Sequence, residues 1–169
     1  MGPEAFAEFG KSSGIYDFMN TAWGWPTIES LHFISLALLL GTVGLFDLRM
    51  LGVGRGIPLT ALHRLVPLGV GAFLANVVTG SMFFVSAPDQ YMFNPAFQLK
   101  VTSMAIAGIN VVVFYWALNR RVTALGPDEV APLPIRLAAG LSLACWIAVI
   151  VFGRLITYFR PPYHWCFWC

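Results

Sequence analysis

An all-α integral membrane protein, built as a four-helix bundle with a short N-terminal interfacial helix, is the fold class the sequence predicts. Three observations carry that reading. Of 169 residues 58% are hydrophobic and 11% are charged, against roughly 25% charged in an ordinary soluble domain. Four apolar stretches reach the length of about 20 residues that a helix needs to cross a bilayer. The 11 Pro and 16 Gly gather between those stretches. Helices are required, because an open strand in lipid would leave its backbone groups unpaired.

The chain divides into residues 1–26, an outward-facing interfacial segment; 27–159, the transmembrane bundle; and 160–169, an aromatic and cysteine-bearing tail on the same side. In the first segment Ile15, Phe18, Met19 and Ala22 recur at helical spacing with Asp17 and Asn20 opposite, the pattern of a short helix lying on a membrane surface. Met1 to Gly24 lacks the basic start and unbroken apolar core of a cleaved secretory signal. The spans are expected at about 27–51, 62–85, 97–118 and 135–159. Gly52 to Pro58 closes the first, Ala87-Pro88-Asp89 and Asn94-Pro95 separate the second from the third, and Gly126-Pro127-Asp128-Glu129 with Pro132 and Pro134 precedes the fourth. Pro67 falls near the start of the second span, where its missing N–H does little harm.

Basic residues set the orientation, since loops rich in Lys and Arg stay on the cytoplasmic side. Arg49, Arg55 and Arg64 surround the first loop, and Arg120, Arg121 and Arg136 the third. The other side carries Lys11, Lys100, Arg154 and Arg160, two of them within helix ends. Both termini are therefore expected in the periplasm or its equivalent, with Trp23, Trp25, Tyr91, Tyr158, Tyr163, Trp165 and Trp168 as an aromatic belt. The formal charge of +2, dispersed along the chain, argues against a nucleic-acid partner.

Ionisable groups within a span are expensive, so each is a functional candidate. Glu29, His32, Lys100 and Arg154 all fall, at 1.5 Å of rise per residue, within roughly one 10 Å slab below the outer surface. Glu29 and His32 are three residues apart and share a helix face. Two arrangements are open: an ion-pair network in which Arg154 or Lys100 neutralises Glu29 beside His32, or a positive pocket for haem propionates, a quinone carbonyl or a small carboxylate. A di-iron site needs more carboxylates than the spans contain. For haem, His32 is the candidate axial ligand with Met82 or His164 as the second; His63 belongs at the opposite end. His164 with Cys166 and Cys169 supplies only three metal ligands, so a disulfide or packed thiols are the plainer reading of the tail, with copper(I) as the soft-metal alternative. Cys145 reads as core, Asn76 and Asn110 as interhelical hydrogen-bonding groups, and Asp47 with Arg49 as part of a surface network with Arg120 and Arg121.

The series Trp25-Pro26-Thr27-Ile28-Glu29-Ser30-Leu31-His32, Asp47-Leu48-Arg49-Met50-Leu51-Gly52, Thr79 to Phe84, Asn94-Pro95-Ala96-Phe97 to Lys100, Ala107-Gly108-Ile109-Asn110 and Gly153-Arg154-Leu155-Ile156-Thr157-Tyr158 resembles an uncharacterised family of small bacterial inner-membrane proteins. The resemblance spans most of the chain, leaving out the first dozen residues and the tail. It implies four helices in the bacterial inner membrane and brings no known activity. Glu29, His32, Asp47, Arg49, Asn94, Lys100, Asn110 and Arg154 are among its landmark positions, while His63 and the tail depart from the pattern. Together these readings lead to the expectation of a non-enzymatic membrane subunit that anchors or relays electrons for a redox assembly, holding haem b or a quinone and contacting lipid and either partner subunits or further copies of itself. A small oligomeric transporter or channel subunit for a proton or organic anion, or a structural or assembly factor, are the alternatives.

Overall fold

The computed structural model describes residues 2–118, 122 and 129–159, and its regular elements there are all helical. Four helices have the length and apolarity to cross a membrane: α3 (Gly24–Leu51), α4 (Leu59–Ser86), α6 (Pro95–Leu118) and α7 (Leu133–Tyr158). Three short helices, α1 (Pro3–Ser12), α2 (Ile15–Met19) and α5 (Pro88–Met92), lie at one end. The spans start and stop within three residues of the positions that composition and turn chemistry predict. Side chains such as Ile109, Val112 and Trp116, up to 90% exposed, turn outward; in water that face would be costly, and in lipid it is solvated.

The bundle is two antiparallel hairpins. The outer portion of α3 packs on α4, and α6 packs along α7. What joins the hairpins is the last two turns of α3, Leu45–Leu51, which pack on α7. A π-helical turn at Leu40–Gly44 separates the two parts of α3 and changes which face follows. The Thr42 hydroxyl donates to the Leu38 and Leu39 carbonyls there (2.9 and 3.0 Å). Gly69 of α4 lies so close that a Cβ would stand 2.7 Å from Thr42 Oγ1. α4 restarts at Val66 after a short first turn, and Pro67 occupies the opening of this longer segment, where no intrahelical N–H is lost.

Two packed cores follow from this geometry. One, around Phe46, Met50, Leu62, Phe114, Ile135 and Ala139, fills the end where the hairpins meet. The other, with Leu39, Ala72, Ala107, Cys145, Trp146 and Val149, fills the middle, and Cys145 is buried in it as a free thiol. Towards the remaining end the hairpins meet through aromatic side chains, Phe84 of α4 stacking on Phe97 of α6 at 5.6 Å. We call the end where α3 packs on α7 the closed end and the other the open end.

Polar side chains tie the helices where apolar packing alone gives no register. Asn110 Nδ2 donates to the Ala138 carbonyl of α7 (3.0 Å) and Asn76 Nδ2 to the His32 carbonyl of α3 (3.2 Å), the interhelical role the sequence suggested. Asn94, 1% exposed, caps α6 through Oδ1, which accepts from the Ala96 and Phe97 amides (3.0 and 3.3 Å). Its Nδ2 donates to the Ile156 and Phe159 carbonyls (2.9 and 3.1 Å), fastening the start of α6 to the end of α7.

The N-terminal segment holds a helix that the sequence pattern did not reveal, α1, with Pro3 in its first turn. It packs with α2 on the open end of α4: Phe6 meets the Phe84 ring edge-on at 5.1 Å, and Gly10 sits against the Val85 backbone. The pair therefore rests on the protein itself, with Met19 1% exposed.

Candidate functional site

Between the hairpins, towards the end that carries α1, α2 and α5, lies a cavity of about 890 Å3. This lies within the range of about 300–1,000 Å3 usual for small-molecule and cofactor sites. One wall is the α3/α4 hairpin, with Trp25, Glu29, His32, Phe73, Asn76 and Phe83; the other is α6/α7, with Phe97, Lys100, Met104, Trp146, Gly153 and Arg154. Gln90 and Tyr91 of α5 stand at the mouth. The lining is mostly apolar and aromatic, with polar groups confined to a few positions.

His32 is the most firmly held of these polar groups. Its Nδ1 is 2.7 Å from Thr79 Oγ1 of α4. The Thr79 hydroxyl has one hydrogen and three acceptors within reach: the Ala75 carbonyl (2.8 Å), the Asn76 carbonyl (3.2 Å) and Nδ1 itself. With that hydrogen on a carbonyl, Nδ1 of the neutral ring is the donor and Nε2 carries the lone pair; with it on Nδ1, Nε2 is the donor. Three further contacts fix the ring: Asn76 holds the His32 carbonyl, Phe83 presents its edge at 5.7 Å, and Gly80 leaves room, since a Cβ there would stand 3.6 Å from His32 Cε1.

The charged groups ring the mouth. Lys100 extends across α7 over Gly153, where a Cβ would meet Nζ at 3.6 Å. The Arg154 guanidinium stands 5.8 Å from the centre of the Tyr158 ring, a cation–π contact. Glu29 is the one carboxylate on the lining. Among the described residues, Glu29 closes no ion pair with either cation. The ion-pair network that the sequence left open is thus not formed among the described residues.

Four of the sequence candidates, Glu29, His32, Lys100 and Arg154, thus share one cavity. Met82 does not line it; it lies three residues before Val85 on the helix side that meets Gly10 of α1. His164, Cys166 and Cys169 lie outside the described residues. His63 is exposed near the closed end, 6.2 Å from the Tyr115 ring, far from His32. Asp47 and Arg49 correct the expectation of a surface network: they are 4% and 2% exposed, because the turns beyond the π segment face α7 rather than water. Arg49 Nε donates to the Ile57 carbonyl (2.9 Å). Ser142 of α7 lies beside the Asp47 carboxylate, whose Oδ2 has no hydrogen-bond partner among the described residues. Arg120 and Arg121 lie outside the described residues.

Sequence reasoning passed over two cavity groups, Met104 and Trp146, and the Thr79 hydroxyl behind His32. Thr79 looked like one more small residue at a helix contact. Met104 and Trp146 sit in apolar runs that read as core. Met104 is one turn deeper than Lys100 and half-buried against the middle core. Trp146, 7% exposed, forms the floor with its indole N–H unpartnered among the described residues. Met104 follows Lys100 by four, the interval that keeps two side chains on one helix face, and that interval was the available signal. No group of three His, Cys, Asp or Glu side chains suited to a metal ion occurs among the described residues.

No curated protein and no solved structure matches the chain. A family model does, over residues 10–159, from the second half of α1 through the end of α7. That reach takes in every cavity residue named above, and the chain belongs to the family of unknown function DUF6644.

Proposed function

We propose that this chain is a non-enzymatic membrane subunit that holds one b-type haem in the cavity between its hairpins and relays electrons for a larger bacterial inner-membrane redox assembly. The observation that carries the reading is the bond between His32 Nδ1 and Thr79. With the hydroxyl hydrogen on the Ala75 carbonyl the ring offers Nε2 as a lone pair, the form an iron takes and the second-shell arrangement usual for metal-bound histidine. A quinone carbonyl needs a donor at that position. Lys100 and Arg154 at the mouth add a second preference, because haem carries two acidic propionates and a quinone carries none. The aromatic walls suit a flat apolar macrocycle.

The orientation proposed for this subunit puts the open end at the periplasmic face. Arg55, Arg64 and Arg136 lie by the closed end, while Lys100 and Arg154 at the open end belong to the cavity rather than to loops.

Absorbance of the purified full-length protein in nanodiscs, mixed with hemin and recorded oxidised and reduced, tests the reading. A Soret band that His32→Ala abolishes is the expected result. Hemin that remains unbound, or a tightly retained quinone found on solvent extraction, would overturn it.

A second reading draws on the cavity between the hairpins, closed off at one end by α3 against α7. Such a vestibule suits a transporter subunit for an organic anion, which with four spans would work as an oligomer. Native mass measurement separates the two, since that reading requires more than one copy.

A further inference from the structure

Resting on the haem reading, we propose that hemin enters the cavity sideways from the bilayer, through a slot between the outer part of α3 and the outer half of α7. These two helices pack on each other at the closed end, through Leu45–Leu51 of α3. Outward of the π turn they form no such interface, and the cavity lies between them. Six of its lining residues make the lips: Glu29, Phe33 and Leu36 on α3, and Ile150, Arg154 and Thr157 on α7. Each set follows the i, i+4, i+7 spacing of one helix face. Leu39 shares the middle core with Trp146 and Val149, and helical rise counted outward from that common level sets Leu36 at the depth of Ile150, Phe33 at that of Arg154 and Glu29 at that of Thr157. All but Leu36 are exposed as well as lining, Phe33 by 60% and Ile150 by 40%.

The slot repeats the polarity of the leaflet beside it. Arg154 is four residues from the outer limit of α7 and Glu29 five from that of α3, about 6–8 Å down, the depth of the headgroup region. Phe33, Leu36 and Ile150 complete the lips towards the hydrocarbon. Hemin dissolved in a leaflet takes the same posture, with its propionates among the headgroups and its macrocycle among the chains, so its acid groups meet Arg154 as the ring leaves the lipid. Lys100, lying over Gly153 one residue from Arg154, is placed to take them further in. The α4/α6 side also exposes lining residues, Val77, Ser81 and Val101. That side is crossed by the stack of Phe84 on Phe97 and by Tyr91 of α5, whose ring meets Phe97 at 5.4 Å, and its lips carry no charge.

Stopped-flow uptake of hemin by the full-length apoprotein in phospholipid vesicles, read from the growth of the Soret band, tests the route. Ile150→Trp narrows the slot and should slow uptake and release together by about tenfold, leaving the equilibrium affinity within about twofold of the wild type. Ile150→Ala should speed both. Val151→Trp, exposed on the same helix but outside the cavity, should match the wild type, and Val101→Trp should not slow uptake. Rates that neither Ile150 variant moves, a change in release alone, or uptake slowed by Val101→Trp instead would overturn the slot while the haem reading stands. Hemin bound by none of these proteins overturns both.

Discussion

The imidazole of His32 and the hydroxyl of Thr79, 2.7 Å apart on neighbouring helices, form a relay that ends on the Ala75 carbonyl. In the form that suits a metal, the carbonyl takes the hydroxyl hydrogen and the hydroxyl oxygen accepts the imidazole hydrogen; in the other form the hydroxyl donates to Nδ1. Second-shell partners of this type typically account for about 10–100-fold in metal affinity. Thr79→Val keeps the shape and removes the acceptor, so hemin affinity should fall by about that factor in a spectrophotometric titration. Thr79→Ser should remain near the wild type. Equal affinities for all three proteins would show that the tautomer is set elsewhere.

The cationic mouth makes a separable prediction about the ligand's acidic groups. Lys100→Gln and Arg154→Gln should each weaken hemin binding about tenfold, equivalent to about 1.4 kcal/mol. Hemin dimethyl ester, in which both propionates are neutral, should bind the two variants and the wild type alike. A penalty that persists with the ester would assign Lys100 and Arg154 to holding the hairpins apart rather than to contacting the acid groups.

The four spans were legible because lipid imposes one condition on about 20 consecutive residues, and an ionisable side chain within such a run stands out against it. Glu29, His32, Lys100 and Arg154 were readable for that reason, and their depths followed from helical rise. Met104 and Trp146 carried no such contrast. Which face of an apolar run turns inward depends on packing, and here on the π turn at Leu40–Gly44, where the neighbours of α3 change. Asp47 and Arg49 looked solvated because they stand near a helix end, yet that end is where the hairpins join. α1 escaped notice because its Phe6 and Gly10 meet Phe84 and Val85, partners distant in the chain.

Asn94 joins the two helices of the second hairpin at the open end, and its contribution can be measured. Asn94→Ala removes the cap of α6 and the two hydrogen bonds from Nδ2 to the Ile156 and Phe159 carbonyls. A lost cap costs about 1 kcal/mol and each lost hydrogen bond about 0.5–1.5 kcal/mol. We therefore expect a loss of about 2–4 kcal/mol in denaturant titrations in detergent. Asn94→Asp keeps the cap acceptor and loses the donor, so it should fall between the wild type and Asn94→Ala. If the two variants were equally stable, the clamp to α7 would carry none of the effect.

Two glycines of similar appearance in the sequence should respond in opposite directions. Gly24 opens α3 directly beneath α2, and a Cβ there would collide with the Phe18 carbonyl oxygen and stand 2.9 Å from Met19 Cα, both backbone atoms that no rotamer change can move. Gly24→Ala must therefore push α2 away from α3, exposing Met19, which is 1% exposed in the native packing. Overpacking of this kind costs about 1–3 kcal/mol, and a clash with backbone belongs at the upper end. Gly140 lies within α7, and a Cβ there meets only Leu51 Cδ2, at an ordinary 3.9 Å. Gly140→Ala gains helix propensity of up to about 1 kcal/mol without a clash. Thermal unfolding of the two variants in one detergent should show Gly24→Ala below the wild type and Gly140→Ala level with it or above. The reverse order would mean that α2 does not dock on α3 at Gly24.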